Sequence, residues 1–255
     1  QELSDAFGSI LKGRNVDPAL TAEAITLPDE EYLAELVDIV DVDGIHEARS
    51  FVKAQLAQRL EVSLLECYDR LSQPGPYQKT SVAMAGRALR TVCLSYLGTT
   101  GRGDSLAQEQ LESSDNMTDT LAAMRVLVWG RSSSAPLALS RFEEQWGGDP
   151  LVMDKWFAIQ SSIPGADTVA GVRELMNHAA FSFRNPNKVR SVLGVFSMMN
   201  PTAFHAEDGS GYRLHADGVM RLDALNPQVA ARMAGAFNQW TRSDTGRREE
   251  MKVEL

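Results

Sequence analysis

Five of the ten prolines in this chain directly follow an aspartate or an asparagine, and that pairing fixes where helices can begin. The Asx side chain accepts hydrogen bonds from the free N–H groups of a first helical turn. Proline, with no N–H to leave unsatisfied, suits the first helical position. Asp17-Pro18, Asp149-Pro150, Asn185-Pro186, Asn200-Pro201 and Asn226-Pro227 each predict a helix start, and three of the five crowd into one tract. A chain punctuated in this way folds as a succession of short helices.

Apolar spacing agrees. From Ile45 the positions Ala48, Val52, Leu56, Leu60, Leu64, Cys67 and Leu71 keep one stripe on a long amphipathic helix, which Gln73-Pro74-Gly75-Pro76 ends. Val82, Ala85, Leu89, Val92 and Tyr96 mark the next helix, closed by Gly98 as a left-handed terminal residue, and a loop follows over 99–104. Asp115 or Asn116 starts a helix with Met117, Leu121, Met124 and Val128 inward. Further helices are expected over 134–146, 150–161 and 168–178. Past Pro186 the stripe is Val189, Val192, Leu193, Phe196 and Met199. A helix covers about Gly209 to Leu222, Pro227 opens one with Val229, Met233, Phe237 and Trp240, and a charged helix spans 244–254. No run alternates β-branched and polar residues between hairpin turns. The expected fold is all-α, an armadillo/HEAT-like solenoid of stacked antiparallel helix pairs forming a single domain over 1–255.

Composition narrows the partners. A formal charge of −9 repels phosphate backbones and anionic lipid, so neither nucleic acid nor a membrane is expected as a partner, and no apolar run approaches the ~20 residues of a membrane span. Cys67 and Cys93 sit within apolar helical patterns and read as a buried thiol pair of a reducing, intracellular and cytoplasmic compartment. The chain opens at Gln1, inside a helical pattern, and reads as cut from a longer protein.

Metal chemistry finds little support. His46-Glu47 begins like a zinc-protease helix, but the second imidazole one turn later is absent, because position 50 is Ser. His178, His205 and His215 are spread over other elements. Asp41-Val42-Asp43-Gly44 lacks the remaining oxygens of a calcium loop and reads as a helix start. Arg102-Gly103-Asp104 reads as loop chemistry, Asn116-Met117-Thr118 as a helix cap, and Arg131-Ser132-Ser133-Ser134 and Gly147-Gly148-Asp149 as connections. Between Phe204 and Tyr212, the two aromatics are expected to pack and Asp208 to cap the helix after Gly209-Ser210-Gly211. Gln228 and Arg232, spaced i, i+4, project together beside the Val229-Met233-Phe237 stripe, a pattern that by itself describes a solvated face.

In combination, Asp149-Pro-Leu-Val-Met-Asp-Lys-Trp-Phe157, Asn185-Pro-Asn-Lys-Val-Arg190, Asn200 to Tyr212 and Asn226-Pro-Gln-Val-Ala-Ala-Arg232 closely resemble the C-terminal domain of the aminopeptidase N family. Asp17 to Pro28 and Asn116-Met-Thr-Asp119 resemble it too, in the right order, so the likeness runs along essentially the whole chain. The resemblance implies the terminal helical superhelix of a four-domain zinc exopeptidase that removes N-terminal residues. Zinc and its His-Glu-x-x-His helix belong upstream, so the fragment alone is expected to be inactive and to hold no metal. It would cap the upstream catalytic domain and enclose a peptide cavity, with Gln228 and Arg232 matching the family's Gln and Arg that reach peptide substrates. Lys155 and Trp156 look structural, beside an inward stripe of Leu151, Val152 and Phe157. The rival readings are a stand-alone helical-repeat scaffold and an independent metal site among the four histidines. An upstream His-Glu-x-x-His segment separates the first, and metal analysis the second.

Overall fold

A computed structural model describes residues 1–13, 16–72 and 76–255. In chain order the α-helices are α1 (Glu2–Lys12), α2 (Pro18–Ile25), α3 (Glu30–Glu35), α4 (Val42–Leu71), α5 (Ser81–Leu97), α6 (Gly103–Ser113), α7 (Met117–Trp129) and α8 (Ala135–Trp146). They continue as α9 (Pro150–Ser161), α10 (Thr168–Leu175), α11 (Pro186–Val189), α12 (Val195–Met199), α13 (Pro201–Phe204), α14 (Ser210–Asp223), α15 (Pro227–Ala234) and α16 (Thr245–Glu254). The only β pairing among the described residues is an isolated bridge between Val40 and Ser243, so the fold is all-α. All five Asx-Pro pairs begin helices, and each Asx side chain accepts from a backbone N–H of its first turn. The Gln73-Pro74-Gly75 break lies outside the described residues.

The helices gather into two compact units, one of residues 1–28 and 47–138, the other of 29–46 and 139–255. In the first, α2 packs on α5 around Phe7, Ile25, Leu56, Leu64, Leu89, Leu94 and Leu97, and α6 packs on α7 around Ala107, Ala123, Leu127 and Ala138. Cys67 and Cys93 are free thiols buried in that core. The stripes hold except at their ends: Ala48 and Val82 are exposed. Gly98 is not left-handed, since its φ is −58°. A side chain there would press on Val126 of α7, so its small size serves helix contact rather than a turn. Arg102-Gly103-Asp104 is not simply loop, because Gly103 opens α6, where a Cβ would meet Leu97 O at 2.7 Å. The pattern of α6 is masked by Gln110, a polar residue on its buried face that donates to Asp119 O (2.8 Å) and accepts from the Tyr68 hydroxyl (2.8 Å).

In the second unit, Val189, Val192, Leu193 and Phe196 are wholly buried, yet Met199 is 65% exposed. A π-helical turn over Arg190–Gly194 leaves Phe196 in the stripe, and Met199 stands at the last position of α12, where the helix ends before Asn200-Pro201. Leu151 is likewise exposed, its expected inward place taken by Met153 and Trp156, with the Trp156 indole N–H donating to Leu139 O (3.0 Å). Lys155 is exposed and Phe157 is buried. Asn200-Pro201 starts α13 after a break that puts Phe204 at the hub of the core. Its ring centroid lies 6.0 Å from Phe196, 5.2 Å from Tyr212, 5.5 Å from His215 and 5.8 Å from Phe237. Gly211, in the first turn of α14, lies so close beneath this hub that a Cβ would collide with the carbonyl oxygens of Ala203 and Phe204.

Candidate functional site

The two residues singled out from sequence lie together on α15. Asn226 Oδ1 accepts from Val229 N (3.2 Å) and the Asn226 N–H donates to Leu222 O (2.7 Å), which turns the chain back from α14 and sets the start of α15. Ala230 and Met233 then point into the core, while Gln228 and Arg232 are exposed one turn apart. Among the described residues neither side chain has an ion-pair or hydrogen-bond partner, so the Arg232 guanidinium keeps its planar set of donors free. The far end of the helix is pinned from below, because the His215 Nε2–H donates to Met233 O (2.9 Å). Burial pushes the His215 pKa down, which favours the neutral ring, and the Met233 carbonyl, an acceptor only, makes Nε2 the donor. The helix tightens to 3₁₀ over Gly235–Phe237 and seats Phe237 beside Phe204.

In the segment after α13 the two aromatics pack inward, as expected. Phe204 and Tyr212 are buried. Gly209 has a φ of +68°, and Asp208 Oδ1 accepts from Ser210 N (2.9 Å); the Ser210 hydroxyl first, and this backbone bond next, hold the Asp208 carboxyl below its usual range. His205 Nδ1 lies 2.7 Å from the Tyr212 hydroxyl. Burial, then the Arg247 charge, lowers the His205 pKa to about 4, so this ring too is neutral in the fold.

Sequence reasoning missed the cleft beside this segment. It has a volume of about 520 Å³ and is lined in part by Asp43, Gly165, Thr202, Asp208 and Arg247. Arg247 lies in the helix that reads as charged, yet it is 7% exposed, and its guanidinium donates to the His205 carbonyl, to Asp244 (2.9 Å) and to Asp43. Only the charge-dense composition of α16 hid it, since one buried arginine leaves no periodic trace.

Replacing Arg247 by Ala is expected to lower stability by about 2 kcal/mol, less than for a fully buried pair because both carboxylates are partly wet. For Asp244 burial works upward but is outweighed by hydrogen bonds from Arg247, so its pKa is lowered. A lowered carboxyl pKa gives stability that is present at neutral pH and lost as pH falls through the folded value. The gap between wild type and Arg247→Ala should therefore narrow below about pH 4. Urea unfolding at pH 7 and at pH 3 measures it, and a gap that is unchanged at the lower pH contradicts the assignment.

No three His, Cys, Asp or Glu side chains gather as metal ligands among the described residues. Each histidine is engaged elsewhere, with His46 Nδ1 2.8 Å from Glu30 Oε1 and His178 Nε2 2.9 Å from Glu143 Oε1. These residues do not fit a zinc centre. No helix among the described residues is long and apolar enough to cross a membrane.

The family profile described as "Domain of unknown function (DUF3458_C) ARM repeats" matches residues 1–255. Aminopeptidase N of Escherichia coli (strain K12) is 38% identical over 255 residues, 99% of this chain and 29% of that protein. Aminopeptidase N of Haemophilus influenzae is 39% identical over 254 residues, 100% of this chain and 29% of that protein. The crystal structure of Legionella pneumophila aminopeptidase A in complex with aspartic acid matches with a TM-score of 0.89 at 31% identity, over 98% of this chain and 31% of that chain. This chain spans under a third of the length of each of these relatives.

Proposed function

From the premise that this chain belongs to the DUF3458_C family, the ARM-repeat C-terminal domain of bacterial aminopeptidase N, we propose that it is the non-catalytic cap of a zinc-dependent aminopeptidase. In this reading it walls a peptide cavity over the catalytic domain, and Gln228 and Arg232 touch the substrate. The observation that carries the reading is the pair's placement: both are exposed and free on a helix whose opposite face is locked into the core. A free guanidinium can donate two parallel hydrogen bonds to a peptide carboxylate, or one to a backbone carbonyl. Zinc would be held in the catalytic domain outside this chain, where it makes a bound water nucleophilic near neutral pH. The segment over 30–40 supports a role as a covered surface. It leaves Tyr32, Leu36 and Ile39 exposed while Arg242 tethers its backbone at Ala34 O (2.7 Å) and Val37 O (2.6 Å).

The test is Arg232→Ala in the full-length protein. For peptides of several residues kcat/KM should fall about tenfold, the loss expected of one charge-assisted hydrogen bond. A chromogenic substrate with a single amino-acid residue should change less than about twofold, since it does not reach past the first residue. Equal losses on both substrates would refute the contact.

A further inference from the structure

In a chain with 34 acidic and 25 basic residues, one cleft of the second unit is lined by two guanidiniums and by no carboxylate. It has a volume of about 510 Å³ and lies between the connection from α10 to α11 and the C-terminal end of α14. Arg184 and Arg221 are its charged groups, and Met176, Phe181, Phe183 and Leu225 supply apolar surface. Asp217 and Asp223, the acidic residues of α14, stand outside the lining. The local sequence builds this arrangement. Ser182 Oγ accepts from Arg184 N (3.2 Å) and Ser182 O from Asn185 N (3.1 Å), so the chain turns tightly just before the Asn185-Pro186 start of α11. That turn sends Phe183 into the core and leaves Arg184 exposed. Phe181 stands edge-on to Phe183 with ring centroids 5.1 Å apart, and packs with Met176 against the cluster of Phe183, Leu193 and Leu222. Arg221, in the last turn of α14, holds its guanidinium carbon 4.3 Å from the centre of the Phe183 ring. Among the described residues neither guanidinium has an ion-pair partner.

An aromatic floor thus orders a cation that no anion holds. A ring face offsets a guanidinium's charge only weakly, and a second guanidinium on the same hollow adds repulsion that an anion relieves. A bare ion would leave the rest of the cleft unused. Phe181, Met176 and Leu225 lose contact with water only when the anion carries an apolar body, and the volume lies within the roughly 300–1,000 Å³ of clefts that hold organic ligands. A carboxylate, planar like the guanidinium, takes two parallel N–H bonds from one fork. We infer that this cleft binds an organic acid, an apolar or aromatic body ending in a carboxylate, with Arg184 and Arg221 facing the carboxylate and Phe181, Met176 and Leu225 against the body. Gln228 and Arg232 do not line it, so it is a second site. Two sources present that chemistry, a free small molecule and the C-terminal residue of a peptide.

The probe is N-acetylphenylalanine, whose blocked amine keeps it from serving as a substrate for removal of an N-terminal residue. In a ligand-observed NMR titration of the full-length protein it should bind with a Kd of about 1 mM or tighter. N-acetylphenylalaninamide keeps the body and loses the charge, while acetate keeps the charge and loses the body. Each should bind at least about tenfold more weakly. Arg184→Gln and Arg221→Gln should each weaken the acid about tenfold with Tm held within about 2 °C, whereas Arg232→Ala leaves its affinity unchanged. An N-acetylated hexapeptide ending in phenylalanine separates the sources. Affinity equal to that of N-acetylphenylalanine, with the same loss in Arg221→Gln, assigns a peptide terminus, and affinity at least about tenfold weaker assigns a free acid. No binding of N-acetylphenylalanine at about 10 mM, equal affinity for acid and amide, or a loss in Arg232→Ala but in neither of the other variants overturns the site.

Discussion

Asn200→Asp should destabilise this chain by about 4 kcal/mol, although it changes only an amide to a carboxylate at a helix cap where the two are ordinarily interchangeable. Asn200 is 2% exposed, and its Oδ1 accepts from Ala203 N (3.3 Å) as a cap should. Its Nδ2 does something local spacing does not reveal: it donates to Ser161 O (3.0 Å) and Ile163 O (2.7 Å), satisfying carbonyls at the C-terminal end of α9. An aspartate keeps the acceptor, loses both donors, and sets a buried negative charge against two carbonyl oxygens. The matched control is Asn185→Asp, where the side chain accepts from Asn187 N (3.0 Å) in a less buried setting and the change should stay within about 0.5 kcal/mol. Acid should partly rescue Asn200→Asp, since the buried carboxyl has its pKa raised and its neutral form can donate to one carbonyl. Stability then rises as pH falls toward the ordinary carboxyl value. Urea unfolding of both variants, at pH 7 and near pH 4.5, decides it: equal costs for the two would show that Asn200 is only a cap.

The contrast between these two asparagines marks how far the sequence could be read. Capping is a local act between neighbours in the chain, so all five Asx-Pro starts were legible and all five are found. What Asn200 does beyond capping depends on α9, 39 residues away, and no spacing rule records it. The same holds for Gln110 and Arg247, polar residues whose burial is justified by partners distant in the chain. Met199 left the periodic stripe for another reason, since it stands at the last position of α12 and spacing does not record where a stripe stops. Gln228 and Arg232 fall between these cases: their shared face on α15 follows from i, i+4 spacing, but an exposed Gln and Arg carry no sign of purpose in periodicity alone. The substrate contact proposed for them rests on the resemblance of the ordered motifs around them.

Phe204→Ala should cost about 4 kcal/mol, and its consequences should extend to α15. Truncation removes a side chain that is 1% exposed and leaves a cavity bounded by Phe196, Tyr212, His215 and Phe237, whose rings all meet Phe204 edge-on or tilted. Such aromatic contacts add roughly 0.5–1.5 kcal/mol each beyond burial, so Phe204→Leu, which refills much of the volume, should recover only part of the loss. His215 links the hub to the candidate site, because its ring packs on Phe204 and its Nε2–H holds Met233 O, next to Arg232 in the chain. Loosening that ring relaxes the helix that aims the guanidinium. In the full-length protein, held below its unfolding transition, Phe204→Leu should therefore lose more activity on peptides than on a single-residue chromogenic substrate, in the same sense as Arg232→Ala though by less. Thermal unfolding and the two kcat/KM values separate the effects. A variant that is destabilised yet keeps the wild-type ratio of the two rates would mean that α15 is positioned without the aromatic hub, by its Asn226 cap alone.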